Sequence, residues 1–376
     1  MVDESRLIPL AKSLIATNSE SPPGREAEVA AVLREHMEAH GVGCKSVGDA
    51  DRPNLIFYSH DYELGELVIH GHMDTVPVGP IEAWDYDPFA GEIVDGRLYG
   101  RGSCDMKGPL AALAESMIQY SEEGHETPLI MLATSDEESG CSGAEAVATS
   151  GILKGIRYGV CAEPTSLDVL VGEKGMLWTK LIARGKSAHG SRPEEGVNAI
   201  ELCMKAIRQI KETDFPYEET ELMGAPTLNL GLIEGGIKIN VVPDRCDASL
   251  DMRIVKGQTI VSVLEKMRSV LNNSFDGHVE VEYVHGKDAV LTPTDAEIVD
   301  VTLDAVESKA GKRPIPTSAT YGTDCSVLQP KIGILNVICG PGSIEQAHQP
   351  NEFIEIKEMT TSVEIYLEIA RHFDSS

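Results

Sequence analysis

The sequence predicts an α/β fold into which a second, smaller domain is inserted. Three observations support this prediction. Short apolar runs alternate with helix-like segments in the first and last parts of the chain. Between those parts the order of elements changes to β-α-β-β-α-β, which is the ferredoxin-like order. The length of 376 residues is sufficient for two or three domains.

The first part of the chain begins with a predicted amphipathic helix over residues 25–40, followed by Gly41 as a C-cap. Runs with the length of buried strands follow at residues 54–58, 67–69, 129–133 and 158–161. A helix with Leu110, Leu113 and Met117 on one face is expected after the second of these runs. The last three runs lead into polar loops, and open α/β sheets bind ligands at such strand ends.

The middle of the chain supplies the predicted insertion. Its strands are expected at residues 176–183, 227–233, 248–254 and 278–284, and its helices at residues 197–210 and 260–271. Met204 and Ile207 share a face of the first helix. Val279, Val281 and Tyr283 alternate with acids, which predicts a half-buried strand. Further elements are expected at residues 295–310, 334–338 and 357–372, so we predict one discontinuous domain, 1–174 with 287–376, and an inserted domain, 175–286.

Composition excludes some partners. The net charge of −28 argues against nucleic acid, whose phosphates it would repel. The first residues are acidic where a signal peptide is basic, and no apolar run approaches the roughly 20 residues that cross a bilayer. The eight cysteines are scattered without a Cys-x-x-Cys pair, which predicts reduced thiols. We therefore expect a cytoplasmic protein without a membrane partner.

Acids and imidazoles occur in five separated segments at the ends of apolar runs. The segments are His70-Gly-His72-Met-Asp74, Gly102-Ser-Cys-Asp105, Ser135-Asp136-Glu137-Glu138, Ala162-Glu163-Pro164 and Ala347-His348-Gln349-Pro350. Two histidines and three carboxylates can hold two divalent metals when one carboxylate bridges them. That donor set suits zinc or cobalt better than magnesium. A further acid, Glu137, is left over beside a ligand, where a general base is needed, so the pattern predicts a two-metal amide hydrolase.

Each of these residues also has a simpler interpretation. His72 could bind metal while Asp74 accepts the other N–H of its imidazole, or the two could form only a loop hydrogen bond. Asp105 precedes a helix, so by itself it is typical of an N-cap. Glu137 and Glu138 are adjacent and point to different sides, so one could bind metal while the other faces the substrate water; neighbouring acids are also typical of a solvated surface.

Over essentially the whole chain, these segments and the insertion resemble the M20 family of metallopeptidases and deacylases. The resemblance implies two metal ions, zinc or alternatively cobalt, and Glu137 as the general base. It assigns His72 and Glu163 to one metal, Glu138 and His348 to the other, and Asp105 to both. It also implies a cis peptide bond between Asp105 and Met106.

The resemblance extends to the inserted domain. His189, in Ser187-Ala-His189-Gly-Ser-Arg-Pro193, matches a histidine that the family uses on its lid, although alone it is typical of a surface loop. Asn240 and Arg253 match positions that hold the substrate carboxylate, and a strand ion pair is the alternative for Arg253. Family members often dimerise through this domain, so a homodimer is expected. The implied substrate is a small N-acyl amino acid or a short peptide.

Longer stretches resemble acetylornithine deacetylases: residues 163–167, 196–202, 226–231 and 340–350. Desuccinylases carry Arg-Arg-Gly-Ser where this chain has Glu173-Lys174-Gly175-Met176, whereas Gly322-Thr-Asp324 resembles the desuccinylase loop. Deacetylation of acetylornithine is therefore the expected activity. The alternatives are a succinyl-diaminopimelate desuccinylase, a dipeptidase or carboxypeptidase, and an inactive metal-stabilised binding protein.

Overall fold

The computed structural model describes residues 2–60 and 65–374. The chain divides into two compact units. Unit 1 comprises Met1–Gly172, Thr292–Thr317 and Thr323–Ser376, and unit 2 comprises Glu173–Leu291 and Ser318–Gly322. The fold is a mixed α/β fold, as the sequence predicts.

The helices are α1 (Glu4–Ala16), α2 (Glu26–Ala39), α3 (Lys107–Glu123), α4 (Ser142–Ser150), α5 (Ala199–Glu212), α6 (Ile260–Phe275), α7 (Glu297–Ala310), α8 (Cys325–Ile332) and α9 (Ile356–Asp374). The strands are β1 (Gly43–Gly48), β2 (Pro53–Tyr58), β3 (Leu67–His72), β4 (Glu92–Val94), β5 (Arg97–Tyr99), β6 (Ile130–Thr134), β7 (Tyr158–Cys161), β8 (Leu170–Glu173), β9 (Gly175–Arg184), β10 (Thr227–Gly235), β11 (Arg245–Ile254), β12 (Val279–Lys287), β13 (Val290–Leu291), β14 (Thr317–Ala319), β15 (Leu335–Ile338) and β16 (Phe353–Glu355).

The main sheet of unit 1 is mixed, with strand order β1-β2-β6-β3-β7-β15-β8. Strands β6, β3, β7 and β15 run parallel to one another. The pairs β1–β2, β2–β6 and β15–β8 are antiparallel. All six residues of β3 are buried, as expected for a strand covered on both faces. On one face, Ile56, Val68, Ile130 and Leu132 form an apolar core with residues of α4 and α8. The parallel strands therefore bring their carboxyl ends to one edge.

Unit 2 has the predicted β-α-β-β-α-β order, β9-α5-β10-β11-α6-β12, and an antiparallel sheet ordered β10-β11-β9-β12. Two apolar side chains are more exposed than their spacing in the sequence indicates. Met204 is 59% exposed, because α5 buries the neighbouring face that carries Cys203 and Ala206. Tyr283 is 47% exposed, because the pairing of β12 with β9 shifts directly after it and the in–out alternation ends there.

A small antiparallel sheet, ordered β16-β5-β4, was not predicted, because its strands have only three residues each. The Asp105–Met106 peptide bond, next to this sheet, is cis, which confirms the prediction. The eight cysteines are all free thiols. Within residues 2–60 and 65–374, none of the helices has the length and apolar character that crossing a bilayer requires.

Candidate metal centre

The five predicted ligand residues lie together in unit 1. His72 Nε2 is 3.0 Å from Asp105 Oδ1 and 3.5 Å from Glu163 Oε1. His348 Nε2 is 3.4 Å from Asp105 Oδ2 and 3.0 Å from Glu138 Oε2. The two carboxylate oxygens of Asp105 therefore face different histidines, which is the arrangement that a bridging carboxylate requires.

The topology explains this convergence. His72 is the last residue of β3, Glu138 lies four residues after β6, and Glu163 lies two residues after β7. Because β6, β3 and β7 are adjacent and parallel, their carboxyl ends meet. Asp105 comes from the turn before α3, and His348 from the loop between β15 and β16.

The spacing of these donors fits metal ions. Atoms about 2.0–2.2 Å from a tetrahedral zinc lie about 3.3–3.6 Å from one another, close to the imidazole–carboxylate distances found here. The donor atoms of His72, Asp105 and Glu138 all lie within 4.8 Å of one another, and the same holds for His72, Glu137 and Glu163. The residues present are therefore suited to divalent cations that accept both nitrogen and oxygen donors.

The electrostatics of the cluster also favour bound cations. Burial and the nearby charge of Asp105 raise the pKa of Glu163 well above its ordinary value. The same two causes raise the pKa of Glu138. Hydrogen bonds to Asp105 and Glu138 raise the pKa of His348 to about 10. A cation between these carboxylates would relieve their mutual repulsion.

Asp74 contacts both the histidine and the glutamates. His72 Nδ1 lies 3.0 Å from the backbone carbonyl of Asp74, which can accept a hydrogen bond from it. The nearer carboxylate oxygen of Asp74 lies 3.6 Å from the same nitrogen. The carboxylate instead accepts the backbone N–H groups of Glu137 and Glu138, each at 3.1 Å. Asp74 thus orients the imidazole by its carbonyl and the two acids by its side chain.

Glu137 lies beside the ligands, and two neighbours were not predicted. The thiol of Cys141 is 3.6 Å from Glu137 Oε1. Asp324 is buried, accepts a hydrogen bond from Thr134, and has a carboxylate oxygen within 4.8 Å of both Glu137 and Cys141. Cys141 lies four residues after Glu137, directly before α4. Asp324 lies directly before α8, and only the tertiary fold brings it to Glu137.

Glu352 is a further residue that the sequence did not single out. It is fully buried, and its carboxylate accepts the backbone N–H groups of Cys104 and Asp105. In the sequence, Glu352 is an acid between the turn at Pro350 and a short apolar run. That context is typical of a solvated loop, so it does not indicate a buried carboxylate.

The remaining predicted residues belong to unit 2. His189 is exposed and forms an isolated β-bridge with Val241, next to Asn240, which is also exposed. Arg253 lies on β11, with one guanidinium nitrogen 3.2 Å from Asp251 Oδ2. The ion-pair alternative for Arg253 therefore has a partner in the structure.

An α/β sheet that carries a histidine–carboxylate cluster at its carboxyl edge is the arrangement of a metal-dependent hydrolase. Comparison with known proteins agrees. Residues 68–372 match Peptidase family M20/M25/M40, and the chain belongs to this family. It is 32% identical over 322 residues to the acetylornithine deacetylase of Photorhabdus laumondii, covering 82% of this chain and 80% of that relative.

Solved structures share the fold. An aminopeptidase PepT from Bacillus cereus superposes with a TM-score of 0.81 at 25% identity, covering 99% of each chain. An M20 family metallo-carboxypeptidase from Sulfolobus solfataricus has the same TM-score at 21% identity, covering 100% of each chain. The protein is therefore a hydrolase of the M20 metallopeptidase and deacylase family.

Proposed function

We propose that this hydrolase removes the acyl group from an N-acyl amino acid, and that N-acetylornithine is its substrate, as in arginine biosynthesis. The observation that carries hydrolysis is the position of Asp105 between the two histidine–carboxylate pairs. The choice of substrate is supported by the 32% identity to an acetylornithine deacetylase. In this proposal the enzyme acts in the cytoplasm.

We infer that the cluster holds two cations, with zinc preferred and cobalt as the alternative. His72 and Glu163 would hold one, His348 and Glu138 the other, and Asp105 both. When bound, the two ions supply Lewis-acid activation of the amide and a water of lowered pKa. Glu137 is the proposed base: it takes a proton from the attacking water and returns it to the leaving amine.

His189 is proposed to stabilise the negative oxygen of the tetrahedral intermediate. Its Nδ1 accepts the backbone N–H of Ser191 at 3.2 Å, which places the imidazole proton on Nε2. An exposed Nε2–H is a suitable donor for an oxyanion. Asn240 and Arg253 are proposed to bind the substrate carboxylate, for which the planar guanidinium is well matched. The inserted domain would therefore act as a lid.

We also propose that the protein is a homodimer formed through unit 2. Strand β10 is an edge strand and carries the exposed apolar residues Leu232 and Ile233, at 71% and 49% exposure. Met204 on α5 is a third exposed apolar residue of unit 2. An exposed apolar edge favours antiparallel pairing with a second copy of itself. Sedimentation as a single 40.6 kDa chain at micromolar concentration would contradict this proposal.

The first prediction concerns the substrate. The zinc-loaded or cobalt-loaded protein should release ornithine from N-acetylornithine faster than it hydrolyses N-succinyl-diaminopimelate or dipeptides. The measurement is the ratio of kcat/KM values across a panel of acyl amino acids and short peptides. Preference for dipeptides would support the peptidase alternative, which the aminopeptidase neighbour favours. No turnover of any member with metal bound would support the inactive binding protein.

The second prediction separates the two adjacent glutamates. Glu137→Ala should keep both metals but lose turnover by about 10²–10⁴, because it removes only the base. Glu138→Ala should lose metal as well as rate. Metal content by mass spectrometry and kcat are measured on each variant, with the exposed Glu345→Ala as the matched control. Equal metal loss in the two variants would refute this division of roles.

The third prediction concerns His189. His189→Ala should leave metal content unchanged and lower kcat by about 10²–10³, the usual effect of removing one oxyanion donor. The exposed His278→Ala, on the same unit, is the control. An unchanged rate for His189→Ala would remove this histidine from the mechanism. Mixing His189→Ala with Glu137→Ala subunits adds a test: regained activity means that His189 serves the partner's site.

A further inference from the structure

The small sheet of unit 1 ties together the two loops that carry Asp105 and His348. Strand β5 leads directly into the Asp105 turn, and β16 follows the His348 loop. The two strands pair antiparallel, with Phe353 opposite Tyr99. One step further along, the backbone N–H of Gly100 donates to the carbonyl of Glu352 at 2.9 Å. This pairing sets the position of the Glu352 side chain.

The Glu352 carboxylate is fully buried and has three hydrogen-bond donors. Its Oε1 accepts the backbone N–H of Cys104 at 2.8 Å and that of Asp105 at 3.0 Å. Its Oε2 accepts a hydrogen bond from Arg101 Nη1 at 2.5 Å. Arg101 is itself only 2% exposed, and its other terminal nitrogen lies 3.4 Å from the carbonyl of Pro77, in the loop that follows His72. Glu352 and Arg101 thus connect three of the loops around the metal centre.

Glu352 contacts Asp105 directly. Glu352 binds the backbone of the proposed bridging ligand itself, and it lies four residues after His348. Without this carboxylate, two buried N–H groups would lose their acceptor, and the turn would have to move to satisfy them. A displacement of that turn moves Asp105 relative to both histidines.

We propose that Glu352 is a positioning residue that holds Asp105 at the correct distance from His72 and His348. This inference rests on the two-metal function proposed above. Both carboxylate oxygens are needed, because each of them accepts a hydrogen bond. In Glu352→Gln the side-chain amide has two possible orientations. If its oxygen faces the N–H groups of Cys104 and Asp105, its NH2 group faces Arg101; if the amide is flipped, its NH2 group faces those two N–H groups. Either orientation sets donors against donors.

The test is the zinc affinity of the full-length apoprotein, measured by competition with a chromogenic chelator. Glu352→Gln should weaken zinc binding by about 10–100-fold, the usual effect of losing a group that orients a ligand. The matched control is Glu115→Gln, which removes another buried glutamate paired with an arginine. Glu115 lies on α3, its side chain is 1% exposed, and one of its carboxylate oxygens is 2.9 Å from Arg6 Nη2. The Glu115→Gln variant should lose thermal stability but keep wild-type zinc affinity.

Three outcomes are informative. Equal zinc affinities for the wild type and Glu352→Gln would overturn the role of Glu352, and so would an equal loss in Glu115→Gln. Failure of the wild type to bind zinc would instead reject the two-metal proposal. Should Glu352→Gln not fold, Glu352→Asp retains the carboxylate but is one methylene shorter. Glu352→Asp should then bind zinc more weakly than the wild type, and wild-type affinity in this variant would overturn the proposal.

Discussion

Repulsion among carboxylates is the constraint on which the active region depends. Asp105, Glu138 and Glu163 are all largely buried, and the charge of Asp105 acts on both glutamates. Such a group is unfavourable in a protein interior unless positive charge is placed among the acids. Without metal, the protonated imidazole of His348, whose pKa is raised to about 10, contributes part of that charge. Histidines that bind a metal are neutral, so divalent cations would then contribute the charge instead. The geometry of the cluster and its proposed chemistry are therefore two consequences of the same requirement.

The fold satisfies this requirement in two ways. Adjacent parallel strands deliver His72, Glu138 and Glu163 to one edge of the sheet, where loops rather than regular structure surround them. The small sheet then fixes the turn of Asp105 against the loop of His348 through backbone pairing and the Glu352 carboxylate. The Asp74 carboxylate similarly holds Glu137 and Glu138 by accepting hydrogen bonds from their backbone N–H groups. Hydrogen bonds to backbone groups thus hold the ligand loops in place.

The sequence was sufficient for elements that depend on local pattern. The buried run before His72 became β3, and the amphipathic helix predicted over residues 25–40 is α2, which buries Val29, Leu33 and Met37. The sequence was insufficient where the outcome depends on tertiary contacts. Met204 has the right spacing for a buried face, but α5 presents the adjacent small residues to the sheet instead. Glu352 has the sequence context of a solvated acid, and only the pairing of β16 with β5 buries it against Asp105. Asp324 and Glu137, whose carboxylate oxygens lie within 4.8 Å of each other, are likewise far apart in the chain.

The most direct test of this account is the metal content of Asp105→Ala. The wild type should retain two zinc ions per chain after dialysis against a weak chelator, and His348→Ala should lose chiefly one. If Asp105 bridges the ions, its removal should weaken both sites, and Asp105→Ala should retain neither tightly. Two tightly bound zinc ions and normal turnover in Asp105→Ala would contradict the account, because the two histidine–carboxylate pairs would then be independent of the residue that lies between them.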